Sequence, residues 1–205
     1  MSDEKPAVLI IGGLGYIGRF LALHIHEQKL VSEVRIVDKV LPQLAWLAPE
    51  FAEACSQDKF VQADGTRERM SFYPIQLFNI SSYRDLTNLC IILESLSRIF
   101  DRSNGKEFDF VFNCGGETRY SQEDEVYKAR SLALSMNVGK EAARRKVKAF
   151  VEISTGMVYK PDSNPRKESD KTKPWSVLAQ YKLQAENELA KIPQYVKCGS
   201  DLVPI

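Results

Sequence analysis

The chain is poor in cysteine and histidine, has no long apolar run and carries no excess of either charge. Its four cysteines, Cys55, Cys90, Cys114 and Cys198, are scattered, none forms a Cys-x-x-Cys pair, and both histidines, His24 and His26, lie far from all of them. This spacing argues against a zinc site and a disulfide framework, and favours a reducing, cytoplasmic setting. No apolar stretch approaches the ~20 residues of a membrane span. The opening Met-Ser-Asp-Glu-Lys-Pro-Ala-Val is acidic and polar, unlike the basic and then apolar start of a signal peptide. With 28 Lys and Arg against 27 Asp and Glu, the net charge is +1, so there is no electrostatic footprint for nucleic acid or an anionic membrane. The basic cluster of Lys140, Arg144, Arg145, Lys146 and Lys148 reads as the wet face of a helix.

What the chain does have is a regular alternation of strand and helix patterns. Its 205 residues suffice for one domain with a core. Ala7 to Ile11 is a continuous apolar run, the mark of a strand buried on both faces, and Gly12 and Gly13 stop it. Ile17, Phe20, Leu21, His24 and Ile25 then recur at helical spacing. Strands are predicted at Val34–Val37, Lys59–Gln62, Phe108–Phe112 and Ala149–Ile153, and a last one begins at Asp201–Ile205. Long helices are predicted over Val126–Arg145 and Val177–Lys191. Repeated strand–helix units give an α/β fold, a doubly wound parallel sheet with helices on both faces. The expectation is a single domain over residues 1–205, with an insertion at about 70–95 where Leu86, Leu89, Leu93 and Leu96 share one helical face.

Gly12-Gly13-Leu14-Gly15-Tyr16-Ile17-Gly18 directly follows the buried strand and opens a helix. In that context glycines 12, 15 and 18 have distinct uses: a tight turn, close approach of backbone to a pyrophosphate, and close packing of helix on sheet. The helix N-terminus adds free N–H groups and partial positive charge for the phosphates. Asp38 follows the second strand, twenty residues past Gly18. A carboxylate there accepts from the adenosine ribose hydroxyls and repels a 2′-phosphate, which favours NAD over NADP, although Lys39 beside it softens that repulsion. Asp64 fits two readings, a contact to the adenine amino group and a turn residue before Gly65.

Taken in order, the glycine loop, Asp38, Asn113-Cys114-Gly115-Gly116 and Ser154-Thr155-Gly156-Met157-Val158-Tyr159 resemble the extended short-chain dehydrogenase/reductase family, the NAD-dependent nucleotide-sugar epimerases and dehydratases. The resemblance covers most of residues 7 to 192 and implies a Rossmann fold. It also implies that Asp64 is the adenine-side acid and that Asn113-Cys114-Gly115-Gly116 lines the cofactor with small residues, with Asn113 standing where the family usually has His. It places Asn137 as the structural asparagine of the central helix and Ser154 beside the cofactor. It makes Thr155 the hydroxyl that bonds the substrate oxygen, and likens Glu168 to an acidic residue that follows this loop. The family's dimers form through two long helices, here Val126–Arg145 and Val177–Lys191.

The catalytic pair departs from the pattern. The family requires Tyr-x-x-x-Lys, the tyrosine as general base and the lysine lowering its pKa and holding the nicotinamide ribose. An unassisted phenol, with pKa near 10, is a poor base at neutral pH. Counting from Pro174 and Glu186, Lys182 falls on the lysine and Leu178 on the tyrosine. Lys182 also has the plainer reading of an exposed helix lysine. Tyr181, one turn from Leu178, is the other phenol in reach. Family enzymes continue well past this length, and that continuation holds the nucleotide-sugar, so this chain is expected to lack the substrate domain. Three readings follow. The first is an NAD-binding but catalytically impaired member. The second is an active epimerase, dehydratase or other oxidoreductase using Thr155, Lys182 and a substitute proton donor. The third is a folded remnant that binds nothing tightly.

Overall fold

The computed structural model describes residues 4–64 and 96–192. The expected insertion at 70–95 and the strand at 201–205 lie outside these residues. Five parallel strands form one sheet: β1 (Ala7–Ile11), β2 (Glu33–Asp38), β3 (Phe60–Gln62), β4 (Phe110–Asn113) and β5 (Ala149–Glu152). Their spatial order is β3-β2-β1-β4-β5. The chain thus winds outward from β1 in one direction and, after β3, returns to wind in the other, leaving a switch point between the ends of β1 and β4. Every residue of β1 is buried, as a central strand covered on both faces requires.

Alternate residues of the strands feed two cores. On one face Val8, Ile10, Ile36 and Phe60 pack under α1 (Tyr16–Glu27) through Ala22 and Ile25. On the other, Leu9, Ile11, Val111 and Phe150 meet α2 (Leu96–Phe100), α4 (Leu134–Arg144) and α5 (Val177–Leu189) through residues such as Phe100, Val138 and Leu189. The doubly wound architecture expected from the alternation is the one observed. No helix among the described residues is long and apolar enough to cross a membrane.

Most expected elements keep their places with ends shifted by a residue or two, the ordinary uncertainty of element termini. The long helix predicted from Val126 starts earlier, at α3 (Asp124–Tyr127), and reaches α4 only after a π-helical stretch, Lys128–Ala133. Such wide turns rotate the following side chains out of helical phase. Strand register aligns Ile11 with both Val37 and Asn113, Asp38 with Gln62, and Asn113 with Glu152. Gly12, Asp38, Cys114 and Ile153 therefore emerge along one edge of the sheet.

Arg145 corrects the reading of the basic cluster. Its side chain is only 11% exposed; it donates to Asp101 (2.5 Å), Glu141 (2.9 Å) and Glu107 (3.2 Å) and lies over the Phe100 ring. Carboxylates from remote loops, invisible to helical phase, draw it in. Lys148 does stay wet, 71% exposed while pairing with Asp109. Arg145→Ala is expected to lower stability by about 2 kcal/mol, the scale of charge-assisted hydrogen bonds, and Lys148→Ala by no more than about 1 kcal/mol, as for a surface pair. Urea unfolding of the two variants checks the contrast.

Candidate functional site

The loop between β1 and α1 is tied to the end of β2: the N–H groups of Gly12 and Gly13 donate to the Val37 carbonyl at 2.8 and 3.2 Å. Gly12 has φ +70°, a left-handed conformation that favours glycine. A Cβ on Gly12 would lie 2.7 Å from the Gly115 backbone. The loops after β1 and β4 thus meet backbone to backbone, and only glycine permits that approach. Gly18 faces the backbone of Gly12 and Gly13, bringing α1 tight against the loop. Gly15 differs, since a Cβ there would meet only the Gly12 carbonyl, at 3.1 Å. Gly15 is also the N-cap of α1, and no side chain caps it. Uncapped N–H groups with the helix dipole behind them, beside a glycine with open space in front, fit a phosphate. Tyr16 and Ile17 contribute backbone here; their side chains are exposed.

At the end of β2 the Asp38 carboxylate accepts from the N–H of Leu14 at 3.2 Å and of Val40 at 3.1 Å. These bonds orient it and leave acceptor capacity for ligand hydroxyls. Asp38, Lys39 and Asp64 line one end of a cleft whose middle is formed by Gly12 and Gly15. Cys114, Gly115, Gly116 and Arg130 line the other end. Burial, with the nearby Glu152 charge adding to it, pushes the Cys114 thiol up to about 12, so it is no nucleophile at neutral pH.

Asn113 turns away from the cleft. Its Nδ2 donates to Glu152 Oε2 (2.7 Å) and Ser135 Oγ (3.3 Å), while its Oδ1 accepts from the Gly115 N–H (3.2 Å). Glu152 also accepts from Ser135 Oγ (2.6 Å) and Lys182 Nζ (2.9 Å) at Oε1. Lys182 is buried rather than an exposed helix lysine. Its Nζ donates further to the carbonyls of Ile153 (2.7 Å) and Gly115 (3.4 Å). Asn137 is likewise buried within α4.

The remaining expected residues are dispersed. Thr155 Oγ1 accepts from the Met157 N–H and caps the short turn Gly156–Val158. Ser154 Oγ donates to Glu186, whose carboxyl burial pushes upward. Leu178 is half-buried on α5. Tyr181 donates its hydroxyl to Asp124 Oδ2 at 2.5 Å, and this bond raises its pKa, against service as a base. Among the described residues, the cleft lining does not include Thr155, Leu178 or Tyr181.

Sequence reasoning missed Glu152, Ser135, Glu117 and Arg130. The only local signal was a glutamate inside an otherwise apolar strand. Glu117, nearly fully buried, is bonded by Arg119 and by Arg130 (2.5 Å), the latter from the π-helical stretch. The Arg119 hydrogen bond, outweighing burial and helped by Arg130, brings Glu117 down to about 2.

The model of the NAD dependent epimerase/dehydratase family matches residues 8–194. Among solved structures, Helicobacter pylori ADP-L-glycero-D-manno-heptose-6-epimerase is similar at TM-score 0.65 and 18% identity, over 95% of this chain and 53% of that one. UDP-glucuronic acid 4-epimerase from Bacillus cereus, solved in complex with NAD, gives TM-score 0.60 and 17% identity over 90% and 51%. UDP-glucose-4-epimerase from Stenotrophomonas maltophila, with bound NAD, gives 0.61 and 19% over 90% and 48%. At these identities the likeness is one of fold, and the chain spans about half the length of each. No curated protein sequence matches it.

Two outcomes are expected. Lys182→Met strands the Glu152 charge and lowers stability by about 3–5 kcal/mol, the cost of breaking a buried pair, read by chemical denaturation. Glu117 has a folded pKa of about 2, below an unfolded value near 4.3, so its stabilisation is full above the unfolded value and lost as pH falls through the folded one. In thermal melts, the gap between the native chain and Glu117→Gln is constant from about pH 5 upward and closes toward about pH 2.

Proposed function

Because the chain belongs to the NAD dependent epimerase/dehydratase family, we propose that it binds NAD across the carboxyl ends of β3, β2, β1 and β4, and that its catalytic pair is incomplete. The observation that carries the first part is the glycine crossing beside an uncapped helix: Gly12 against Gly115, with Gly15 open in front of α1. In this reading the N–H groups of Tyr16, Ile17 and Gly18, in the first turn of α1, hold the pyrophosphate. Asp38 takes the adenosine ribose hydroxyls and disfavours NADP, and Asp64 accepts from the adenine amino group. The backbone of Cys114, Gly115 and Gly116 lines the far half. Arg130, held by Glu117, supplies cationic charge near the phosphates. A bound nicotinamide would supply hydride chemistry.

Support for impairment comes from α5. Leu178 cannot move a proton, and Tyr181 is engaged by Asp124, which disfavours its phenolate. Turnover by way of Tyr181 would require breaking that bond. The lineage points to a nucleotide-sugar as the class of small molecule recognised, and the outer faces of α4 and α5 are the corresponding homodimer surface.

Titration with NADH and NADPH, followed by cofactor fluorescence, tests the reading. Micromolar NADH binding is expected, weaker for NADPH, and abolished by Gly15→Asp, whose carboxylate would occupy the phosphate position. A native chain that binds neither cofactor contradicts the reading and favours a folded remnant.

A further inference from the structure

The ammonium group of Lys182 has three protons to donate, and the protein offers three acceptors: Glu152 Oε1 at 2.9 Å, the Ile153 carbonyl at 2.7 Å and the Gly115 carbonyl at 3.4 Å. Its side chain is 8% exposed and that of Glu152 is 0% exposed. Glu152 is itself held from further sides, by Asn113 on β4 and Ser135 on α4. It cannot follow the lysine toward a ligand, and a lysine that left would strand a buried carboxylate.

We propose that Glu152 is a positioning residue that fixes the Lys182 ammonium on the protein and cancels its charge, leaving the floor of the cleft beneath Gly115 and Gly116 electrically neutral and without a lysine donor for a ligand. The neutral pair is a second loss of catalytic capacity, independent of the leucine at position 178. A phenol restored there would stand one helical turn from a lysine whose charge is already spent on Glu152, so replacing Leu178 alone does not create a general base. The inference deepens the reading of an impaired site. It rests on the register that sets position 178 one turn before Lys182, not on cofactor binding.

The test is an ultraviolet titration of the phenol introduced by Leu178→Tyr, compared with Leu178→Tyr/Glu152→Gln. The eight native tyrosines are common to both and cancel in the difference. With Glu152 present, the added phenol is expected to titrate in the ordinary tyrosine range. With Glu152→Gln, the uncancelled ammonium makes it about tenfold more acidic or more, the effect of an opposite charge within about 4–6 Å. A third chain, Leu178→Tyr/Glu152→Gln/Lys182→Met, removes both charges and is expected to match Leu178→Tyr within about twofold, since a cancelled pair and an absent pair act alike on the phenol. This chain keeps the test open should Glu152→Gln alone fail to fold. Equal acidity in the first two chains, or a tenfold weaker phenol in the third than in the first, overturns the proposal. No arm uses NADH, so failure of the chain to bind cofactor sinks the functional reading and leaves this one to its own result.

Discussion

Glu152 lies at the end of β5, out of water, where an ionised carboxylate is tolerable only if its lone pairs are taken up. The acceptances come from three different elements: Asn113 on β4, Ser135 on α4 and Lys182 on α5. Meeting that demand fixes the strand ends and the two long helices relative to one another. Lys182 passes the constraint on by holding the carbonyls of Ile153 and Gly115, which settles the loop after β4. Gly115 then lies where Gly12 can touch it, and the cleft follows from that contact.

The cleft inherits an asymmetry from the order of the strands. The ends of β2 and β3 bring Asp38 and Asp64 to one side, whereas the π-helical stretch brings Arg130 to the other. Between them lies backbone, with the N–H groups at the start of α1 in place of side chains. Carboxylates suit sugar hydroxyls and an amino group, while N–H groups and a guanidinium suit phosphate. The gradient is the one that the proposed NAD, laid along the sheet edge, requires.

How much of this was legible in the sequence depends on how local each feature is. β1, the glycine loop and Asp38 announce themselves within forty residues, because a buried strand, a turn and a helix start have adjacent causes. The five-strand winding follows from the alternation of patterns. Glu152 and Lys182 are each visible as residues, but their partnership spans 30 positions, and nothing local to either predicts it. Arg145 was misread for the same reason, since helical phase assigned it to water and Asp101 and Glu107 are brought to it by the fold. The π-helical turn at Lys128–Ala133, which aims Arg130 at the cleft, leaves no composition signal at all.

The central claim is that a dinucleotide lies over the crossing of the two glycine loops. Hydrogen exchange read by mass spectrometry, with and without saturating NAD, addresses it directly. The account predicts slowed exchange in peptides covering 12–18 and 113–117, the loops that the ligand covers, with little change across 177–189. Exchange left unchanged by NAD in both loops, or protection confined to the 177–189 helix, would contradict it.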